Sequence, residues 1–164
     1  MDKNVFKVGI VAAEKSGDTL AANLIQSFRH RENIKFFGVV GPKMCKAGCF
    51  PVGNIENLSV MGFKDVFRQL PRLILFKNSV CDALIKHQID LFMGVDAPSF
   101  NLPLAAKLKS VNPAIKVIQY VAPQLWAWRP GRIEKIKKIV DHLYVLFPFE
   151  QKYFSELGLA TEFV

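Results

Sequence analysis

The sequence has few of the residues and runs that mark common classes of protein. Only three cysteines occur, with no CxxC pair, which argues against a disulfide framework and against a zinc site. The histidines lie far apart and show no metal-ligand spacing. No run approaches the ~18 apolar residues of a membrane span, and the first residues lack the apolar core of a signal peptide. We therefore expect a cytoplasmic protein with reduced thiols, and only peripheral contact with any membrane.

Nucleotide-binding motifs are missing as well. Neither the GxGxxG fingerprint nor the P-loop pattern occurs anywhere in the chain. There is also no DxD pair suited to holding a metal ion on a diphosphate. These absences predict that the chain binds no metal and needs no cofactor.

Composition is that of one globular domain. The 164 residues are 51% hydrophobic and 22% charged, without low-complexity tracts. The formal net charge of +8 favours anionic partners such as nucleic acid, phosphorylated metabolites or acidic lipid headgroups. Charge does not choose among these partners, and a solvated basic surface without a dedicated partner explains it equally well.

Apolar runs alternate with amphipathic stretches from one end of the chain to the other. The runs are almost continuously apolar, as strands are when both faces of their sheet are covered. They span residues 7–13, 36–40, 91–95, 116–121 and 142–147, and a further strand begins at residue 161. This pattern predicts a doubly wound, Rossmann-like α/β domain with a parallel sheet.

Two parts of the chain are harder to assign. The stretch from Cys45 to about Gln69 is punctuated by proline and glycine and has no regular period. A helix is predicted from Pro71 onward, with one apolar face at positions 73, 76, 80 and 84. Pro103 is predicted to lie in the first turn of the helix that follows the 91–95 strand.

In a doubly wound sheet, ligands bind beyond the carboxyl ends of the strands. The first loop there contains Glu14, Lys15, Ser16, Gly17 and Asp18 and opens a helix whose free N–H groups could meet an anion or sugar hydroxyls. The alternative is a helix cap in a tight turn, with the side-chain oxygens of Ser16 or Asp18 as caps.

Asp96 stands at the carboxyl end of a buried strand, within residues 94–101. Partial burial makes a carboxylate a better base, so Asp96 is a candidate general base. Alternatively, its side chain accepts backbone N–H bonds from the turn before the next helix. The residues alone leave both interpretations open.

The segment 123–132 carries two tryptophans and two arginines, including Trp128 and Arg129. Such a loop suits contact with a sugar ring or a phosphate. The alternative is that one or both rings fill the gap between a helix and the sheet.

A mixed apolar and basic patch lies around residues 60–76. This pairing is what a membrane-surface contact requires, although core packing accounts for some of these side chains. The residues predicted to contact a membrane surface are Val60, Met61, Phe63, Phe67, Arg68, Leu70 and Arg72.

Four loop motifs of this chain resemble those of lipid-A-disaccharide synthases. They are AEKSGD at 13–18, GVDAPSFN at 94–101, PQLWAWR at 123–129 and FPFE at 147–150, in the family's order. Residues 60–62 match as well, so the resemblance covers essentially the whole chain. Ala13 and Lys15 stand where the family has Gly and Ala, which makes the first loop bulkier and more basic.

The resemblance implies a two-lobed glycosyltransferase of the GT-B type. Such an enzyme joins UDP-2,3-diacylglucosamine to 2,3-diacylglucosamine 1-phosphate with inversion, forming the β-1,6-linked lipid A disaccharide and UDP. The resemblance makes Asp96 the base. It makes Glu14, Ser16, Gly17 and Asp18 part of the substrate cleft, and Asn101, Trp128 and Arg129 supports for the acceptor.

The chain ends at Val164, about where the first lobe of that family hands over to the second. We therefore expect residues 1–164 to be the acceptor-side N-terminal domain, without the C-terminal UDP-binding domain. Alone it is expected to be inactive, to pair with the missing C-terminal lobe, and to self-associate through the uncovered face. The expected location is the cytoplasmic face of the inner membrane of a Gram-negative bacterium, with an anionic lipid surface and no nucleic acid as partner. The alternative is a truncated, non-catalytic lipid- or membrane-binding domain.

Overall fold

A computed structural model describes residues 5–59, 66–123 and 133–164, except for the side chains of residues 59 and 66–69. Seven parallel strands form one sheet in the order β3-β2-β1-β4-β5-β6-β7. The strands are β1 (Phe6–Ala12), β2 (Ile34–Val40), β3 (Phe50–Asn54), β4 (Leu91–Val95), β5 (Lys116–Tyr120), β6 (His142–Val145) and β7 (Thr161–Phe163). The described helices are α1 (Lys15–Ser27), α2 (Pro42–Lys46), α3 (Glu56–Ser59), α4 (Val66–Lys86), α5 (Pro98–Val111), α6 (Ile133–Ile139) and α7 (Pro148–Glu156).

Helices cover the sheet on both faces. Neighbouring residues of β1 point to opposite sides, so that Val11 belongs to one buried cluster and Ile10 and Ala12 belong to the other. The Val11 cluster contains side chains of α4, α5, α6 and α7, and the second cluster contains those of α1 and α2. The predicted doubly wound α/β fold is therefore confirmed.

The strand order reverses between β1 and β4. From β1 the chain builds outward to β2 and β3, then returns to place β4 on the other side of β1. The helices that follow β1 and β4 therefore leave the sheet on opposite faces, and a crevice forms between the two carboxyl ends. This is where ligands bind in open α/β sheets.

The stretch predicted to be irregular contains an edge strand, β3, which the sequence pattern did not reveal. Pro51 lies inside this strand, pairing in register with Gly38 of β2. An edge position tolerates proline because one side of the strand needs no ladder hydrogen bond. Proline and glycine therefore hid a strand that the neighbouring β2 holds in place.

Two prolines lie deeper in helices than predicted. α4 begins at Val66, so Pro71 is inside it rather than at its start, and Pro103 is inside α5, which begins at Pro98. An interior proline leaves the carbonyl four residues earlier without its helical partner. For Pro103 that residue is Ser99, which is exposed to water. The predicted apolar face of α4 is confirmed, since Val80 and Leu84 are fully buried.

The apolar residues at 149, 153 and 157 predict the packed face of α7. In the structure, however, Phe149 is exposed, whereas Phe154 is the fully buried aromatic residue of this helix. Glu150 accepts the Phe147 N–H at 3.3 Å and so caps the first turn.

All three cysteines are free thiols, as expected. Cys45 is exposed, whereas Cys49 and Cys81 are buried. Burial, with a smaller effect of Cys45, raises the pKa of Cys49 to about 12. Because the thiolate is the reactive form, Cys49 is an inert core residue.

No helix within the described ranges is long and apolar enough to cross a membrane.

Asp141 connects three elements at the amino edge of the sheet. Its carboxylate lies 2.7 Å from Lys109 Nζ of α5 and accepts the Val117 N–H of β5 at 2.8 Å, just before β6 begins. Partial burial acts to raise the pKa of this carboxyl, but the bonds from Lys109 and Val117 and the charges of Lys109 and Lys116 together lower it.

A lowered pKa predicts a pH-dependent contribution to stability. Because the carboxylate is favoured in the folded state, its stabilisation is full above the unfolded pKa of about 4 and is lost as the pH falls through the lower folded value. We expect the Asp141→Asn variant to be less stable at pH 7 by about 1 kcal/mol, since solvent partly screens the pair. Urea unfolding at pH 7, 5, 4 and 3 measures the difference, which should close toward pH 3.

Glu156→Gln provides the matched control for this experiment. Glu156 forms an exposed pair with Lys152 at 3.9 Å, and removing its charge should change stability little at any pH. A gap between Asp141→Asn and the native chain that widens on acidification would contradict the assignment.

Candidate functional site at the carboxyl ends of β1 and β4

Asp96 follows directly after β4, at the point where the strand order reverses. Its backbone N–H donates to the Tyr120 carbonyl of β5 at 2.8 Å, and its φ of 55° is in the left-handed region. Ala97 follows with φ 39°. Two consecutive non-glycine residues of this kind are strained, and strain of this type clusters at functional sites.

The Asp96 side chain is half-buried and faces no partner among the described residues. None of their hydrogen bonds or ion pairs reaches its carboxylate, and the start of α5 has no side-chain cap. The alternative in which Asp96 accepts N–H bonds of the turn therefore has no support in residues 5–59, 66–123 and 133–164. Within those ranges no protein group occupies the carboxylate, which could therefore accept a hydrogen bond from a ligand.

The first loop lies against the end of β4. Gly17 packs tightly against the ends of β1 and β4. A Cβ added at this position would lie 3.3 Å from the Ala12 Cβ and 3.4 Å from the Val95 carbonyl oxygen. Glu14 and Ser16 are exposed, and Glu14 is the N-cap residue of α1 without a side-chain cap bond. The loop thus presents Glu14, Ser16 and the N–H groups of the first helical turn beside the carboxyl end of β4, just before Asp96.

Asp18 does not cap its own helix, in contrast to the cap interpretation of the sequence. It is 3% exposed, and its oxygens accept the N–H groups of Gly41 at 3.1 Å, Lys43 at 3.0 Å and Met44 at 3.0 Å. These amides form the start of α2, 23 or more residues along the chain. Asp18 therefore holds two loops of the carboxyl edge together.

Asn101 is fully buried in the first half of α5. Its Nδ2 donates to the carbonyl oxygens of Val11 at 3.3 Å, Val95 at 3.4 Å and Asp96 at 2.8 Å. It thus joins the ends of β1 and β4 across the point of reversal. Its Oδ1 is buried without a hydrogen-bond partner among the described residues. These contacts are structural. The predicted role of Asn101 toward the substrate would therefore be indirect, through the strands that it joins.

A cavity of about 490 Å³ opens beside the first loop, toward β2 and β3. Its polar lining includes Lys15, Ser16, Thr19, Lys43 and Glu56. The Lys43 Nζ donates to Thr19 Oγ1 at 2.8 Å, which directs this ammonium group toward α1. Lys15 and Lys43 are matched in number by two lining carboxylates, those of Glu56 and the buried Asp18, so the cavity offers cationic donors without a net positive charge.

The sequence interpretation missed Lys43 and Glu56, which line this cavity, and Gln119, which lies under the Asp96 turn. Lys43 follows the Gly41-Pro42 pair at the end of β2, in a loop (41–43) to which the rule for strand ends does direct attention, but no role was predicted for its side chain. Gln119 had no comparable signal, since it looks like an ordinary polar residue in a strand. No group of three or more described His, Cys, Asp or Glu side chains could hold a metal ion.

Several predicted residues lie outside the described residues. Trp128 and Arg129 fall in 124–132, Val60, Met61 and Phe63 fall in 60–65, and the side chains of Phe67 and Arg68 are also outside. Leu70 and Arg72 are described, and both are exposed on α4. Ile74 and Leu75 are exposed beside them, Leu75 by 68%.

Asp18 generates a stability prediction. Asp18→Ala leaves three N–H groups at the start of α2 without their acceptor, and we expect a loss of about 2 to 4 kcal/mol in the free energy of unfolding. Urea unfolding of the 164-residue chain measures it. Ser16→Ala, an exposed position in the same helical turn, is the control and should change stability little. Equal effects of the two variants would contradict the bridging role of Asp18.

Comparison with known proteins agrees with the loop motifs. A family model described as lipid-A-disaccharide synthetase matches residues 8–164. The chain is 42% identical to lipid-A-disaccharide synthase of Methylobacillus flagellatus over 158 residues, which are 96% of this chain and 41% of that protein.

Two further relatives carry the same name. The chain is 44% identical to the protein of Idiomarina loihiensis over 96% of its own length and 41% of the relative's, and 40% identical to that of Haemophilus ducreyi over 100% and 42%. The chain thus spans about two fifths of the length of these relatives. The resemblance inferred from the four loop motifs is confirmed, and the chain belongs to the lipid-A-disaccharide synthetase family.

Proposed function

We propose that this chain is the acceptor-side part of a lipid-A-disaccharide synthase. The reaction would join UDP-2,3-diacylglucosamine to 2,3-diacylglucosamine 1-phosphate, forming the β-1,6 disaccharide and UDP. The names of the relatives support a transferase over a non-catalytic lipid-binding domain. The sheet order supports the same view, because it creates a crevice where a ligand of this fold would bind.

The half-buried carboxylate of Asp96, which has no hydrogen-bond partner among the described residues, is the observation that carries the proposal. In the reaction, the 6-hydroxyl of the acceptor attacks the anomeric carbon of the donor sugar. The bond from that carbon to the diphosphate breaks, UDP leaves, and the configuration inverts. Asp96 would take the hydroxyl proton as the new bond forms, since a base within reach of this hydroxyl lowers the barrier.

The first loop and the neighbouring cavity would bind the polar part of the acceptor. Glu14 and Ser16 are exposed next to the end of β4, and they could accept or donate hydrogen bonds to sugar hydroxyls. Lys15 and Lys43 line the cavity and could each donate a charge-assisted hydrogen bond to a phosphate oxygen. Gly17, Asp18 and Asn101 would act by holding these loops. Trp128 and Arg129 remain proposed acceptor contacts.

The donor nucleotide would need the rest of a full-length relative. The chain covers 41–42% of the length of the relatives, and we propose that the remainder includes the UDP-binding lobe. Residues 1–164 alone would then bind acceptor without transferring sugar. Phe147 and Phe149 stack at 5.7 Å and are exposed at the carboxyl end of β6, where a second lobe would cover them. Without that cover, we expect this apolar surface to favour self-association.

A chimera tests the catalytic proposal. The part of the Methylobacillus flagellatus relative that follows its matched region is fused after Val164, and UDP release is measured with both diacylglucosamine substrates. We expect transfer by the chimera and a fall in kcat of about 10²-fold or more in Asp96→Asn, because general-base catalysis contributes that much. KM for the acceptor should change little, since the substituted amide keeps its size.

Asp82→Asn is the matched control in the same chimera. Asp82 is exposed on α4, and its substitution should leave kcat unchanged. Full activity in Asp96→Asn would show that Asp96 is not the base. A folded chimera that binds UDP and forms no disaccharide would contradict the transferase proposal itself.

Membrane contact is the second part of the proposed function. Leu70, Ile74 and Leu75 form an exposed apolar stripe on α4 with Arg72 beside it, while the opposite side of the helix packs on the core. Such a stripe would enter the headgroup region, and the arginine would meet anionic lipids. Val60, Met61, Phe63, Phe67 and Arg68 would extend this surface. The acyl chains of both substrates could then reach the cleft from the cytoplasmic face of the inner membrane.

Vesicle sedimentation measures this contact. We expect binding to vesicles rich in phosphatidylglycerol, weakened by salt, and a loss of about tenfold in the Ile74→Gln, Leu75→Gln double variant, because two apolar side chains no longer enter the lipid. Val111→Gln, at an exposed apolar position on α5, is the control and should bind as the native chain does. Equal binding by all three proteins would show that Ile74 and Leu75 of α4 do not contact the membrane.

A further inference from the structure

Three residues at the carboxyl edge of the sheet have strained backbones. Asp96 and Ala97 follow β4 with φ of 55° and 39°, and Val121 follows β5 with φ 75°. A positive φ is costly for any residue with a Cβ and is most unusual for a β-branched one such as Val121. Such a conformation persists only where surrounding contacts fix it.

Two buried amide side chains supply these contacts, and both donate to the carbonyl oxygen of Asp96. Asn101 Nδ2 reaches it from α5 at 2.8 Å, and Gln119 Nε2 reaches it from β5 at 3.1 Å. Gln119 Nε2 also donates to the carbonyl of Val121 at 3.2 Å and, at the longer distance of 3.5 Å, to that of Tyr120. Gln119 therefore binds both strained turns at once.

The surroundings of Gln119 are tightly packed. Gln119 is 2% exposed and lies in a central strand. Next to it, an added Cβ on Gly94 would be 2.7 Å from the Gln119 Oε1 and 2.7 Å from the Asn101 Cβ. Glycine at 94 thus lets the two amides approach the same carbonyl from neighbouring elements.

A buried glutamine is expensive unless its polar atoms are satisfied, and an apolar residue of equal size would pack in its place at lower cost. The hydrogen bonds of Gln119 go to the turn that carries Asp96 and to the turn beside it. Neither bond belongs to the regular ladder of the sheet. The function of Gln119 is therefore to be sought in the geometry of those turns.

We propose that Gln119 is a positioning residue for the base, acting on Asp96 through its backbone. By holding the Asp96 carbonyl and the Val121 turn, it fixes the direction in which the Asp96 carboxylate leaves the sheet. Gln119 itself touches no reacting atom. This assignment rests on the proposed function of Asp96, whereas the backbone geometry that it explains can be measured in the 164-residue chain alone.

The first experiment measures that geometry by NMR. A positive φ brings the amide hydrogen close to the Hα of the same residue, so Asp96 and Val121 should each show a strong intraresidue NOE. In Gln119→Met, which keeps the side-chain length but removes the donor, we expect both NOEs to weaken. Ile118→Met, at the adjacent position of β5, is the control and should preserve them. Unchanged NOEs in Gln119→Met would overturn the proposal.

The second experiment measures catalysis in the chimera described above. Gln119→Met should lower kcat by about tenfold to a hundredfold, as a misdirected catalytic group does, with little change in KM for the acceptor. In the Asp96→Asn background the same substitution should have no further effect on kcat, because the two residues act as one unit. A purely structural role would instead lower the activity of both backgrounds equally.

The outcomes separate the two proposals. If Asp96→Asn abolishes transfer and Gln119→Met leaves kcat unchanged, the positioning role is wrong and the function of Asp96 stands. If the chimera forms no product while the NOEs behave as expected, the proposed function is wrong and Gln119 is a determinant of backbone geometry alone. If Gln119→Met does not fold, Gln119→Leu, which also removes the donor without burying a charge, replaces it in both experiments.

Discussion

Backbone polar groups at the ends of buried parallel strands need partners, because helices cover both faces of the sheet and exclude water. At the centre of this sheet the carbonyl oxygen of Asp96 meets that requirement with two side-chain amides, Asn101 at 2.8 Å and Gln119 at 3.1 Å. The same amides contact the ends of β1, β4 and β5. The arrangement of the candidate site depends on these bonds, since they set the turn from which the Asp96 side chain emerges.

On the other side of the crevice, the buried carboxylate of Asp18 also supplies partners to backbone polar groups. Asp18 accepts three N–H groups at the start of α2 and ties the loop after β2 to the helix after β1. The cavity with Lys15 and Lys43 lies over this junction. Buried polar side chains thus hold neighbouring backbone segments together through hydrogen bonds. Exposed polar side chains, such as those of Glu14 and Ser16, could instead contact a ligand.

Much of this fold is readable from the pattern of residues. Continuous apolar runs predict buried parallel strands, and Asp96 is placed at a strand end because the 91–95 run stops there. The strand β3 is hidden from the sequence pattern because Pro51 and Gly53 interrupt it, and only the pairing with β2 makes this segment a strand. The start of α4 was misplaced for a related reason, since Pro71 is usual at a helix start and yet lies inside this helix.

The residues by themselves determined the fold class, the family and the loops that form the crevice, because these depend on local periodicity and on short motifs. The partners of individual side chains were decided only by the tertiary structure. Asp18 looked like a cap for its own helix and caps another, and Gln119 looked like an ordinary strand residue and supports the Asp96 turn. Hydrogen bonds between residues 23 or more positions apart depend on which strands become neighbours, and that order is a property of the whole sheet.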